Sequence, residues 1–177
     1  MLISQASCFF VRIVLVVSGD QHQGKEQDQT MATGIAEILL VEDDSRDAEL
    51  TLHALKRCGL AHRVEHVTDG QAALDYICGM AQFPDRQPSN LPRLILLDLR
   101  LHKMGGLPVL QQLKSDDRTK SIPVIVLTSS RLAIEIVESY KLGVNSYVIK
   151  PTDPSQFEEV VSAIGHYWLA INEPPTA

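Results

Sequence analysis

Three short apolar runs constrain the fold more than any other feature: Ile38-Leu39-Leu40-Val41, Leu94-Ile95-Leu96-Leu97 and Val124-Ile125-Val126-Leu127. None of them alternates with polar residues, so each reads as a strand buried on both faces. That happens where helices cover both sides of a parallel sheet. Helical spacing fills the gaps between them. Ala48, Leu52 and Leu55 mark a helix over Ser45 to Cys58 that is closed by Gly59. Thr68 or Asp69 caps a helix carrying Ala72, Ala73, Tyr76 and Ile77. Gly105-Gly106 precedes a helix around Val109, Leu110 and Leu113. Leu132 to Leu142 is helical and closed by Gly143, and Asp153, Pro154 and Gln156 open a last helix whose apolar stripe runs from Phe157 to Trp168. A more polar strand, Arg63 to Val67, belongs nearer a sheet edge, and Ser146 to Ile149 is the fifth strand. Phe83 to Pro92 holds Pro84, Pro88 and Pro92 and reads as loop.

Five strands alternating with five helices give an α/β unit. Right-handed crossovers leave few topologies, and the expected one is a doubly wound, flavodoxin-like, five-stranded parallel sheet in the order 2-1-3-4-5 with helices on both faces. The expected domain spans residues 34–171, between an extension at 1–33 and a tail at 172–177. Leu2 to Val17 is apolar but contains Arg12, lacks a basic leading segment and is shorter than the ~20 residues of a spanning helix. Gly19 to Thr30 is polar and Gln-rich. The extension therefore reads as disordered or as an upstream start ahead of Met31, with a signal peptide or anchor as the weaker alternative. Only Leu169 to Ala177 remain beyond the last helix, so an appended DNA-binding domain is not expected.

Composition limits the partners. Sixteen Lys and Arg against 22 Asp and Glu leave a net charge of −6, which opposes general binding to nucleic acid or an anionic membrane. Cys8, Cys58 and Cys78 form no paired or metal-type spacing, and a reducing cytoplasm is the expected setting.

Ligands of doubly wound sheets bind outside the carboxyl ends of the strands. At those ends stand Glu42, Asp43 and Asp44 after the first strand, Asp98 after the third, Thr128 at the fourth and Lys150 after the fifth. Carboxylates converging from two strands suit a hard divalent cation, most plausibly Mg2+. A hydroxyl and an ammonium beside them suit a phosphoryl group. Each has a plainer reading alone: Asp44 as a helix cap, Thr128 as a β-branched strand end, Lys150 as a solvated lysine before a proline turn. Asp98 resists that treatment, because no helix starts directly after it.

Ile38 to Asp44, Leu94 to Leu99, Val126 to Ser130 and Tyr147 to Pro151, in that order and spacing, resemble the receiver domain of two-component response regulators. The proline-containing segment before the third strand and the end from Tyr140 to Trp168 look most like stand-alone receivers that partner phytochrome-type histidine kinases. The resemblance implies a phosphorelay in which Asp98 takes a phosphoryl group from a sensor histidine kinase, with the receiver catalysing the transfer and its reversal. It implies Mg2+ held by Asp43 and Asp98 directly, by Glu42 through water and by the Arg100 carbonyl. Lys150 would pair with the carboxylate and then with phosphoryl oxygens, and Thr128 would close onto the phosphate. Tyr147 would turn inward with Thr128, its plainer reading being a half-exposed strand aromatic. The Lys150–Pro151 bond would be cis, with Pro151 fixing the turn.

The loop Leu99 to Gly106 departs from the family. His102 stands where a proline is usual, which loosens the loop without touching an expected ligand. Gly105 stands where an acid or small polar residue is usual, and Arg100 replaces the commoner Asn or Met and could shield the phosphate. Output is expected through the face made by the fourth helix, fifth strand and fifth helix, onto a homodimer partner or a downstream protein. Three other classes are weaker. A haloacid-dehalogenase-type hydrolase needs an acid where Arg100 stands. An FMN carrier would not put three acids in its first turn. A degenerate receiver would lack some of the ligands present here.

Overall fold

A computed structural model describes residues 37–60, 64–80, 83 and 89–174; the expected extension before Met31 lies outside them. Five strands, β1 (Ile38–Val41), β2 (Val64–Val67), β3 (Leu94–Leu97), β4 (Val124–Thr128) and β5 (Ser146–Ile149), alternate with α1 (Ser45–Arg57), α2 (Gly70–Cys78), α3 (Gly106–Ser115), α4 (Ala133–Lys141) and α5 (Pro154–His166). All pairs are parallel, in the order β2-β1-β3-β4-β5. The doubly wound sheet expected from the apolar runs is the one observed.

The alternating direction of side chains along a strand divides each central run between two cores. Leu39, Val41, Ile95, Leu97, Val124 and Val126 face the layer that holds Ala73, Ile77, Val109 and Leu110 of α2 and α3. Ile38, Leu40, Leu94, Leu96, Ile125 and Leu127 face Ala54 and Leu55 of α1 and Phe157 and Val161 of α5. Every residue of β1, β3 and β4 is buried, whereas β5 and most of β2 are half-buried. Polar Glu65 and His66 are therefore tolerated at the edge.

Local chemistry sets the helix ends. The Asp44 carboxylate accepts from the N–H groups of Arg46 and Asp47, Asp69 from Ala72 and Asp153 from Gln156, each satisfying donors that the first helical turn leaves unpaired. The last helix goes further than its apolar stripe suggests. It passes from α5 into a π-helical turn over Tyr167–Ile171, where Tyr167 and Trp168 meet edge to face at 5.1 Å. The wider turn rotates the stripe, leaving Tyr167 and Ile171 exposed. Among the described residues, no helix is long and apolar enough to cross a membrane.

In this strand order the chain leaves β1 towards β2 on one side and returns to β3 on the other. The switch point therefore lies at the carboxyl ends of β1 and β3, where ligands of doubly wound sheets bind.

Candidate functional site

The sheet ladder continues one residue past three of the strands. Glu42 N–H donates to the Val67 carbonyl, Asp98 N–H to Val41 and Lys150 N–H to Thr128, at 3.0, 3.0 and 2.8 Å. Each polar residue is thus fixed by backbone before its side chain is placed, which is the kind of rigid support a reactive cluster needs. Val41 and Leu97 pair across the sheet, so Glu42 and Asp98 leave it at one level.

The Lys150 ammonium lies at the centre. Nζ donates to Glu42 Oε2 at 2.6 Å, Asp98 Oδ2 at 2.7 Å and Asp47 Oδ2 at 2.8 Å. An ammonium has three donors, and all three are used. Glu42, Asp98 and Lys150 are buried. Burial pushes the Glu42 carboxyl up to about 7, against the opposing pull of Lys150. Burial also disfavours the Lys150 ammonium, but Asp98, Asp47 and Glu42 together outweigh it and hold the group charged well above its ordinary range.

The second acid of the pair after β1 turns the other way. Asp43 Oδ2 accepts from His102 N–H at 2.8 Å and also meets the His102 ring at Nδ1. Asp98 Oδ1 accepts from Arg100 N–H at 3.0 Å. The two carboxylates expected to hold a cation therefore both lean on one short loop, Arg100 to His102. His102 touches Asp43, contrary to the expectation that it contacts no ligand. The loop's turn after β3 brings its N–H groups back over β1, and spacing along the chain does not reveal that return.

The donor set is all-oxygen and anionic, the chemistry of a hard divalent cation. Among the described residues no three His, Cys, Asp or Glu side chains are already gathered as a cage, because Lys150 draws Glu42 and Asp98 one way and His102 draws Asp43 the other. The acids outnumber the single ammonium, so added positive charge is favoured here. The chemistry of the donors fits a hard divalent cation, while their side chains are turned to protein partners.

Thr128 is buried at the end of β4, where its Oγ1 accepts from Ser130 N–H at 3.3 Å. The half-buried Tyr147 donates its phenol to the Ser130 carbonyl at 3.2 Å, so the loop after β4 links the threonine to the tyrosine. The Lys150–Pro151 bond is trans, since the described residues contain no cis peptide bond; the expected cis geometry is corrected. The trans form is also the intrinsically favoured one, by about 0.5–1 kcal/mol. Asp44 takes its plainer role as the cap of α1. Asp47 was not foreseen. An acid in a first helical turn reads as a partner of the helix dipole, and only the lysine reaching across from β5 gives it a second role.

The family described as the response regulator receiver domain matches residues 38–162. The probable methanogenesis regulatory protein FilR2 of Methanothrix harundinacea is 42% identical over 138 residues, covering 78% of this chain and 86% of that protein. The response regulator Rcp1 of Synechocystis is 36% identical over 140 residues, covering 79% and 93%. A crystal structure of the Mn2+-bound form of response regulator Rcp1 matches with a TM-score of 0.72 at 34% identity, covering 78% of this chain and 98% of that one. The crystal structure of the phosphorylated cyanobacterial phytochrome response regulator RcpA matches with a TM-score of 0.73 at 38% identity, covering 78% and 97%.

Proposed function

The chain belongs to the response regulator receiver domain family, and from that membership we propose how its own residues carry the phosphoryl transfer typical of the family. The observation that supports the assignment best is the Lys150 ammonium bonded to a buried Asp98 at the switch point of the sheet. A carboxylate oxygen of Asp98 forms the new P–O bond. The P–N bond of a kinase phosphohistidine breaks, and its electron pair stays on the imidazole. A divalent cation, Mg2+ by the all-oxygen donor set, supplies positive charge against the phosphoryl oxygens when bound. Asp43, Asp98 and the Arg100 carbonyl would hold it directly, and Glu42 through water. Lys150 turns from carboxylate to phosphoryl oxygen, Thr128 offers its hydroxyl to another, and Tyr147 follows Thr128 through the loop at Ser130. Such transfer depends on positioning and charge neutralisation more than on covalent chemistry.

The partner that donates the group is a sensor histidine kinase. The phytochrome class is the best-supported type, given the likeness to RcpA. The readout is protein contact. Leu132, Ile134, Val137 and Tyr140, in and beside α4, are exposed together with Tyr167 and Ile171 after α5, an apolar set suited to a homodimer or a downstream protein. The exposed thiols of Cys58 and Cys78 fit a cytoplasmic setting. No direct contact with nucleic acid or membrane belongs to this reading.

Incubation with a phosphorylated phytochrome-type histidine kinase, with and without a chelator, tests it. Label is expected to pass from kinase to this chain in Mg2+ and to stay on the kinase when the metal is removed. Transfer that survives chelation contradicts the metal's part, and label that never leaves the kinase contradicts the partner.

A further inference from the structure

Lys150 has no spare donor. Three N–H bonds of the ammonium are already committed, to Glu42, Asp98 and Asp47. Phosphorylation converts the Asp98 carboxylate into an acyl phosphate, so that bond passes to a phosphoryl oxygen, and following this oxygen draws the ammonium away from Glu42 and Asp47. These two are not equal. The side chain of Glu42 is 2% exposed, whereas that of Asp47 is 32% exposed. A buried carboxylate left without its cation loses far more than one that water can reach.

Resting on the phosphoacceptor reading of Asp98, we propose that Asp47 is a positioning residue, a releasable tether that holds the Lys150 ammonium in its resting place and gives it up when Asp98 is phosphorylated. Asp47 sits in the first turn of α1, with its own N–H received by the Asp44 carboxylate and its carbonyl by the Thr51 hydroxyl. Its backbone is therefore anchored while its side chain stays open to solvent. Letting go leaves a hydrated carboxylate at a helix N-terminus, a favourable place for negative charge. Its pull on Lys150 competes with the phosphoryl group and sets how readily the phosphorylated form is reached.

The test compares Asp47→Asn with Asp44→Asn and Asp47→Glu, following phosphorylation by acetyl phosphate in Mg2+ by intact mass at several donor concentrations. Asp44 is a charge-removal control, since it lies three residues away and asparagine caps a helix as well as aspartate does. Asp47→Asn is expected to raise the limiting phosphorylation rate about three- to fivefold, the size of one solvent-accessible ion pair, with little change in the half-saturating donor concentration. The phosphorylated form should also decay more slowly. Asp44→Asn is expected to change the rate by less than about 1.5-fold, and Asp47→Glu to restore it towards wild type. An unchanged or slower Asp47→Asn overturns the tether, and so does an equal gain in Asp44→Asn, which would mark a general charge effect. Wild type that takes up no phosphoryl group instead overturns the reading of Asp98, a different failure.

Discussion

Replacing Lys150 with methionine is expected to cost about 3–5 kcal/mol at pH 8, the range for removing one partner from a buried ion pair. Methionine nearly matches the lysine stem in volume, so the loss is electrostatic. It leaves Glu42 and Asp98 buried with no cation beside them. The loss is expected to shrink at pH 5. Burial already raises the Glu42 carboxyl from 4.5 to about 7, and it rises further without the ammonium. A carboxyl whose folded value lies above its unfolded one binds more protons in the folded chain between the two values, so stability falls as pH rises through that window. Urea unfolding at pH 5 and pH 8 checks this. A loss of the same size at both pH values means that the two acids are not what Lys150 holds in place. The same variant should form little phosphorylated product, because no other cation contacts Asp98 among the described hydrogen bonds.

The second large effect comes from a glycine. A Cβ on Gly106 would lie 2.3 Å from the Asp98 carbonyl oxygen and 2.7 Å from Leu99 Cα. Both are backbone atoms at the end of β3, and neither can swing aside as a side-chain tip can. Gly106→Ala must therefore move the start of α3 away from β3 or displace Asp98, the proposed phosphoacceptor. We expect a loss of about 2–4 kcal/mol and a fall in the phosphorylation rate of more than about tenfold, since misplacing a reacting group by an ångström can cost a hundredfold. Gly105→Ala is the matched control. Its Cβ would meet only the Leu99 carbonyl at 3.7 Å and Pro108 at 4.0 Å, and alanine, a poorer N-cap than glycine, should cost about 0.5–1 kcal/mol here. Equal effects from the two substitutions would show that the close approach at Gly106 carries no special weight.

These two positions show what could be read from the residues and what could not. The strands were legible because β1, β3 and β4 are unbroken apolar runs, and only a sheet covered on both faces buries such runs completely. Asp98, Thr128 and Lys150 were legible because parallel strands all end on the same edge, so three chain-distant residues had to be neighbours. Contacts that depend on a side chain's reach were not. Lys150 is 103 residues from Asp47, and a dipole-matching acid in a first helical turn needs no further partner to account for it. The hold of His102 on Asp43 spans 59 residues and depends on how the loop after β3 folds back. The turn at Tyr167–Ile171 escaped as well, because the apolar stripe from Phe157 to Trp168 fits a plain helix until the wider turn rotates it. The close approach at Gly106 is hidden for a similar reason. A Gly-Gly pair reads as a break in the chain, and which of the two touches β3 is decided by packing.

The phosphoacceptor role of Asp98 is tested most directly by the intact mass of the chain after incubation with acetyl phosphate and Mg2+, beside Asp98→Asn under the same conditions. One added phosphoryl group on the wild type and none on Asp98→Asn is the expected result. The same gain on both proteins would place the phosphoryl group on another residue and contradict the assignment, as would no gain on either.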